Sequence, residues 1–111
     1  MSNRPLKILA TAAALVAAGS AVSAQEINFG IIATESSSNL KQVWNPFLAD
    51  MEKKTGLTVK AFFASDYAGV IEAMRFKKVD IAWYGNKSAM EAVDRANGEI
   101  FAQTVDKDGN P

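Results

Sequence analysis

Three short polar stretches carry the residue types that could hold a small ligand: Thr34-Glu35-Ser36-Ser37-Ser38, Ser65-Asp66-Tyr67 and Tyr84-Gly85-Asn86-Lys87. Together they offer hydroxyls, amides and aromatic rings. Hydroxyls and helix-terminal amides donate hydrogen bonds to an oxyanion, and an aromatic wall keeps water off it. The chemistry such a set suits is capture of a small oxyanion. Each member also has an ordinary structural use. Ser36 to Ser38 serve as a solvated turn and helix cap more commonly than as ligand contacts, and Asp66 reads as a cap. Tyr67 stands at a helix start, where a phenol can donate to an anion or simply pack. Glu35 is either a counter-charge for a ligand amine or, more commonly, an acid favoured by the helix dipole. Trp83 and Tyr84 alternate across a strand, so one faces the approach to a cleft while the other packs under a helix; Trp83 is assigned to the core.

Little in the chain supports catalysis. Histidine and cysteine are absent, which removes His-dependent triads, His-ligated zinc, disulfides and thiolate chemistry. No carboxylate pair, glycine-rich phosphate loop or metal-ligand cluster has convincing spacing, so neither a metal nor a cofactor is expected. The triplet Asn86-Lys87-Ser88 matches a glycosylation acceptor, which is idle in a bacterial secretory setting. Lys53-Lys54 and Lys77-Lys78 read as solvated helix ends, where cations are favoured.

The elements that must position these residues alternate between apolar periods of about 2 and 3.6, giving four strands and three helices. Strands are expected over residues 27–32, 57–63, 79–84 and 99–105, and helices over 39–55, 67–77 and 87–97. In the first helix Leu40, Val43, Trp44, Phe47, Leu48 and Met51 form the inner stripe, and Gly56 supplies a left-handed stop. Pro46 removes a bond to Gln42, so that helix should kink or divide, with Asn45 capping the second part. Val70, Ile71, Met74 and Phe76 should face inward from the second helix, and Ala89, Met90 and Val93 from the third. The alternation implies an α/β class: an open, mostly parallel sheet flanked by helices on both faces. In such sheets ligands bind beyond the carboxyl ends of the strands, the edge at which all three polar stretches fall.

The 111 residues are 49% hydrophobic, with 12 basic residues against 12 acidic ones. Residues 1–24 stand apart: Arg4 and Lys7 precede an apolar run from Ile8 to Ala18, followed by Gly19-Ser20-Ala21-Val22-Ser23-Ala24. This is the pattern of a secretory signal peptide cleaved after Ala24, its 11-residue core being shorter than the ~20 residues of a membrane span. Loss of Arg4 and Lys7 leaves 87 residues with a net charge of −2, which attracts neither nucleic acid nor an anionic membrane. Without cysteine there is no lipoprotein anchor either. A soluble periplasmic protein is expected. The closing residues Asp106-Lys107-Asp108-Gly109-Asn110-Pro111 have turn composition leading onward, so the chain reads as a fragment.

Several runs stand in an order that resembles a known family: Phe29-Gly30-Ile31-Ile32, Trp44-Asn45-Pro46-Phe47-Leu48, Ser65-Asp66-Tyr67-Ala68-Gly69 and Val79-Asp80-Ile81-Ala82-Trp83-Tyr84-Gly85-Asn86. With the run from Ser88 to Gly98, they resemble the periplasmic phosphonate-binding proteins of phosphonate ABC transporters over nearly all of residues 27–111. The resemblance implies a type II periplasmic binding protein fold of two lobes, of which residues 25–111 supply the N-terminal part of the first. It implies a protein that performs no chemistry, closes on a phosphonate such as 2-aminoethylphosphonate, and delivers it to a permease driven by an ATPase. In the family the tyrosine of the Asp-Tyr-Ala-Gly motif lines the pocket, which makes Tyr67 the foremost site residue, ahead of Thr34, Glu35, Ser36 and Tyr84. Much of the family's site lies further along than Pro111. The alternatives are a binding protein for phosphite or another small phosphorus oxyanion, a sensory lobe, and a periplasmic enzyme.

Overall fold

The computed structural model describes residues 25–111, so the expected signal peptide lies outside the described residues. Six elements alternate: β1 (Glu26–Ile31), α1 (Ser37–Thr55), β2 (Thr58–Phe63), α2 (Tyr67–Arg75), β3 (Ile81–Trp83) and α3 (Asn86–Ala96). The strands form one parallel sheet in the order β2-β1-β3. The α/β class and the parallel sheet flanked by helices are therefore as expected. β1 is the centre because it is apolar on both faces. Phe29 and Ile31 point to one side, into a cluster with Leu40 and Leu48 of α1 and Val59 of β2. On the other side Gly30 lies against Val70 of α2 and Val79. Ile31, Val70 and Ile71 are essentially inaccessible to solvent, and each such side chain contributes about 1.5–3 kcal/mol of burial.

Local chemistry sets the ends of the helices. Ser36 caps α1, its hydroxyl accepting from the Asn39 amide at 3.4 Å, and Gly56 closes it at φ 71°, a left-handed conformation that costs glycine least. Asp66 caps α2, its carboxylate accepting from the Gly69 amide at 2.7 Å.

Several expectations are corrected. One helix runs through Pro46, with no break at Asn45. Gln42 and Pro46 are both exposed, where water can satisfy the carbonyl that loses its partner. Residues 99–105 form no strand: a lone extended segment has no hydrogen bonds of its own, and the neighbouring β3 is a template of only 3 residues. Val43, Phe47, Phe76, Met90 and Val93 are exposed rather than inward. In α3 the inward row is Ser88 and Ala92, so the helix is turned from the expected register. Trp83 is 36% exposed and not core; it rests on Trp44 with ring centroids 5.4 Å apart. Those on α1 and α3 share a cause: the apolar stripes of these helices are wider than the part of the three-stranded sheet that meets them. Two concavities lie along the overhang, an apolar one of about 360 Å³ beside Val43, Phe47 and Trp83 and one of mixed lining, about 760 Å³, between β3, α3 and the segment after Gly98.

Candidate functional site

Parallel pairing aligns the ends of the three strands, with Ile31 opposite Phe63 on one side and Trp83 on the other. The segments that follow lead directly into the N-termini of α1, α2 and α3. The three polar stretches consequently share one edge of the sheet, with the β1 segment in the middle. Each helix presents the positive end of its dipole and unpaired first-turn amides there.

The candidates divide according to what already engages them. Tyr67 opens α2 and is 45% exposed, and its hydroxyl has no hydrogen-bond partner among the described residues. Thr34 is exposed, its amide donates to the Ile32 carbonyl at 2.9 Å, and its hydroxyl has no hydrogen-bond partner among the described residues. Glu35 is exposed and forms no ion pair among the described residues. Ser36 is committed to the α1 cap and stands 3.2 Å from the Ser38 hydroxyl. Tyr84 turns away from this edge: its hydroxyl donates to the Val70 carbonyl at 3.4 Å and contacts Met74 Sδ at 3.7 Å, and burial pushes the phenol up to about 12. Tyr84 therefore braces α2 against the end of β3. The edge thus brings Thr34, Glu35 and Ser36 together with Tyr67 in one rim and sends the Tyr84 side chain elsewhere.

The sequence reading missed the way α3 begins. Gly85 precedes the helix and has no side chain to offer its first-turn amides. Ser88 reaches back, accepting from the Gly85 amide at 3.0 Å and donating to the Gly85 carbonyl at 3.1 Å. Glycine followed three residues later by serine was the available signal. Asp66 already occupies an amide of α2 with a negative charge. Amides at the start of α3 are freer for an incoming acceptor than those of α2, and Tyr67 is the neutral donor at the start of α2.

The larger concavity is a different place. It takes in Tyr84, Gly85 and Asn86 but not Tyr67, Thr34, Glu35 or Ser36, and its wall mixes Met90, Val93, Ile100 and Phe101 with Asn97 and Gln103. A phosphorus oxyanion needs donors, and the helix-terminal edge offers the Tyr67 phenol and first-turn amides.

Comparison with known proteins places the chain in a family. Residues 29–111 match the family described as ABC transporter, phosphonate, periplasmic substrate-binding protein. Among relatives, the chain is 73% identical over 85 residues to the phosphonates-binding periplasmic protein of Escherichia coli, covering 77% of this chain and 25% of that protein. It is 43% identical over 61 residues to the phosphate-import protein PhnD of Mycolicibacterium smegmatis, covering 55% of this chain and 19% of that one. The chain thus spans a quarter or less of the length of these relatives. Among solved structures, a binding protein component of an ABC phosphonate transporter from Pseudomonas aeruginosa superimposes with a TM-score of 0.76 at 71% identity, over 80% of this chain and 30% of that one. PhnD1 from Prochlorococcus marinus, solved with methylphosphonate, shares the fold with a TM-score of 0.61 at 22% identity, over 64% of this chain and 26% of that one. These relatives are binding and import proteins rather than enzymes. A parallel sheet whose helix N-termini meet at one edge, matched over three quarters of its length by one family, leaves a single assignment: the chain belongs to the periplasmic substrate-binding proteins of phosphonate ABC transporters.

Proposed function

We propose that residues 25–111 are the N-terminal part of the first lobe of a two-lobed protein that captures a phosphonate in the periplasm and delivers it to the permease and ATPase of an importer. Residues 1–24 act in this reading as a signal peptide removed after Ala24. The observation that carries the proposal is the unengaged Tyr67 hydroxyl at the edge where three helix N-termini meet. Phosphonate oxygens take hydrogen bonds from that phenol and from first-turn amides, with Thr34 as a further donor. Exposed Glu35 supports a ligand carrying an amine, such as 2-aminoethylphosphonate. Closure of a second lobe over the anion would shift the population to the form the permease accepts.

A second reading has one specific support. The Mycolicibacterium relative is named for phosphate import, so an inorganic phosphorus oxyanion such as phosphite or phosphate is the competing ligand.

The test is calorimetric titration of a protein of the relatives' full length carrying this sequence, with 2-aminoethylphosphonate, methylphosphonate, phosphite and phosphate. Phosphonate binding, weakened about tenfold by Tyr67→Phe through loss of one hydrogen bond to a charged group, is the expected outcome. Binding of the inorganic anions alone would transfer the assignment to the second reading, and an unchanged Kd in Tyr67→Phe would remove Tyr67 from the site.

A further inference from the structure

Only one asparagine in the sequence is followed by glycine, Asn97 before Gly98, and it forms the C-cap of α3. Asn-Gly is chemically the most vulnerable amide pair because glycine puts no side chain in the way of its own nitrogen. In the reaction the deprotonated Gly98 nitrogen attacks Asn97 Cγ. An N–Cγ bond forms, the Cγ–Nδ2 bond breaks, and ammonia leaves with a proton from water. A five-membered imide results. Water then adds to one of its two carbonyls and opens the ring to aspartate or isoaspartate.

Asn97 is exposed, and its side chain makes no hydrogen bond among the described residues, so nothing shields the electrophile. The nucleophile is held instead. The Gly98 amide donates to the Ala92 carbonyl at 3.0 Å. Asn97 has φ 58° and ψ 30°. At that ψ, Cβ and the Gly98 nitrogen lie on nearly opposite sides of the Cα–C bond, whereas the ring closes only when they are eclipsed. Reaction therefore requires the cap to open and Asn97 to leave the left-handed region.

We propose that Asn97-Gly98 is a latent deamidation site kept unreactive by the C-cap of α3, so that its conversion records opening of that cap. Either product prevents a clean return. Isoaspartate routes the backbone through Cβ and adds a methylene, so the cap cannot close as before. Aspartate sets a negative charge at the negative end of the α3 dipole, two residues from Glu99. Both products loosen the segment after Gly98 that walls the larger concavity.

The test incubates the whole chain in mildly alkaline buffer with and without unfolding urea, and peptide mapping follows the mass gain of amide-to-acid conversion at Asn97. The expected rate is roughly tenfold or more slower without urea, as for any reaction gated by local opening. The peptide bearing Asn110 should stay unreacted in both, because Pro111 has no N–H to attack with. Ala96→Gly, which weakens the last helical turn and leaves the Ala92 acceptor in place, should speed the urea-free reaction about fivefold. Equal rates with and without urea, no conversion in urea, or an Ala96→Gly rate equal to the parent would each overturn the proposal.

Discussion

At Gly30 the sheet packs tightly against α2, and replacing it with alanine tests the packing that sets the ligand edge. A Cβ there would lie 2.7 Å from Val70 Cγ1, 2.9 Å from Val79 Cγ1 and 3.3 Å from Ala82 Cβ. Val70 and Val79 are 0% and 3% exposed. Both are branched at Cβ and stiff about χ1, so neither methyl can swing aside. Overpacking of this kind costs about 1–3 kcal/mol. Against it, alanine in a strand recovers about 0.5–1 kcal/mol of the entropy that glycine loses on folding. The net expectation is a loss of about 1–2 kcal/mol, and for a domain below 100 residues each kcal/mol lowers Tm by about 4–8 °C. Urea denaturation followed by far-ultraviolet circular dichroism should show a lower midpoint with an unchanged slope. In a Val70→Ala background the closer of the two clashing methyls is gone while Val79 Cγ1 stays 2.9 Å away, so the penalty for Gly30→Ala should fall to about half. A parent-like midpoint for Gly30→Ala, or an equal penalty in the two backgrounds, would refute the reasoning.

Other expectations concern the helix ends and the buried phenol. Asp66→Ala should cost about 1 kcal/mol of stability by leaving the Gly69 amide without its 2.7 Å acceptor, with Asp66→Asn recovering most of it in the same urea assay. Tyr84 has its folded pKa raised from 10.0 to about 12 by burial, so the folded state holds its proton while the unfolded state loses it. Its contribution is intact below pH 10 and is lost as pH rises towards 12; Tyr84→Phe should flatten the fall in urea midpoint across that window. Glu72 lies 3.6 Å from both Arg75 and Arg95, joining α2 to α3, but all three side chains are partly solvated. Glu72→Gln should therefore change stability by less than about 1 kcal/mol, and a larger loss in thermal melts would mean the pairs are stronger than their exposure allows.

Much of this molecule was legible in local chemistry. The three parallel strands and three helices follow from the switching apolar period, and the caps at Ser36, Asp66 and Gly56 follow from residue types that satisfy or terminate a helix end. Once the alternation is recognised, topology alone brings the segments after the strands to one edge, and so the stretches containing Thr34, Ser36 and Tyr67 could be named together. The family runs, including Asp66-Tyr67-Ala68-Gly69, are equally a property of the sequence.

Tertiary structure decided which faces are covered and where each ring turns. Periodicity marks Val43, Phe47, Met90 and Val93 as apolar, but only the width of the sheet decides that they overhang it. Adjacent aromatics in a strand must diverge, yet only packing decides that Trp83 meets Trp44 while Tyr84 donates to the Val70 carbonyl. Residues 99–105 carry strand-like residues, but a strand is made by its neighbour's hydrogen bonds, and these lie outside its own sequence. Sequence thus determined what each segment is able to do locally, and the contacts between distant segments determined which of those abilities are used.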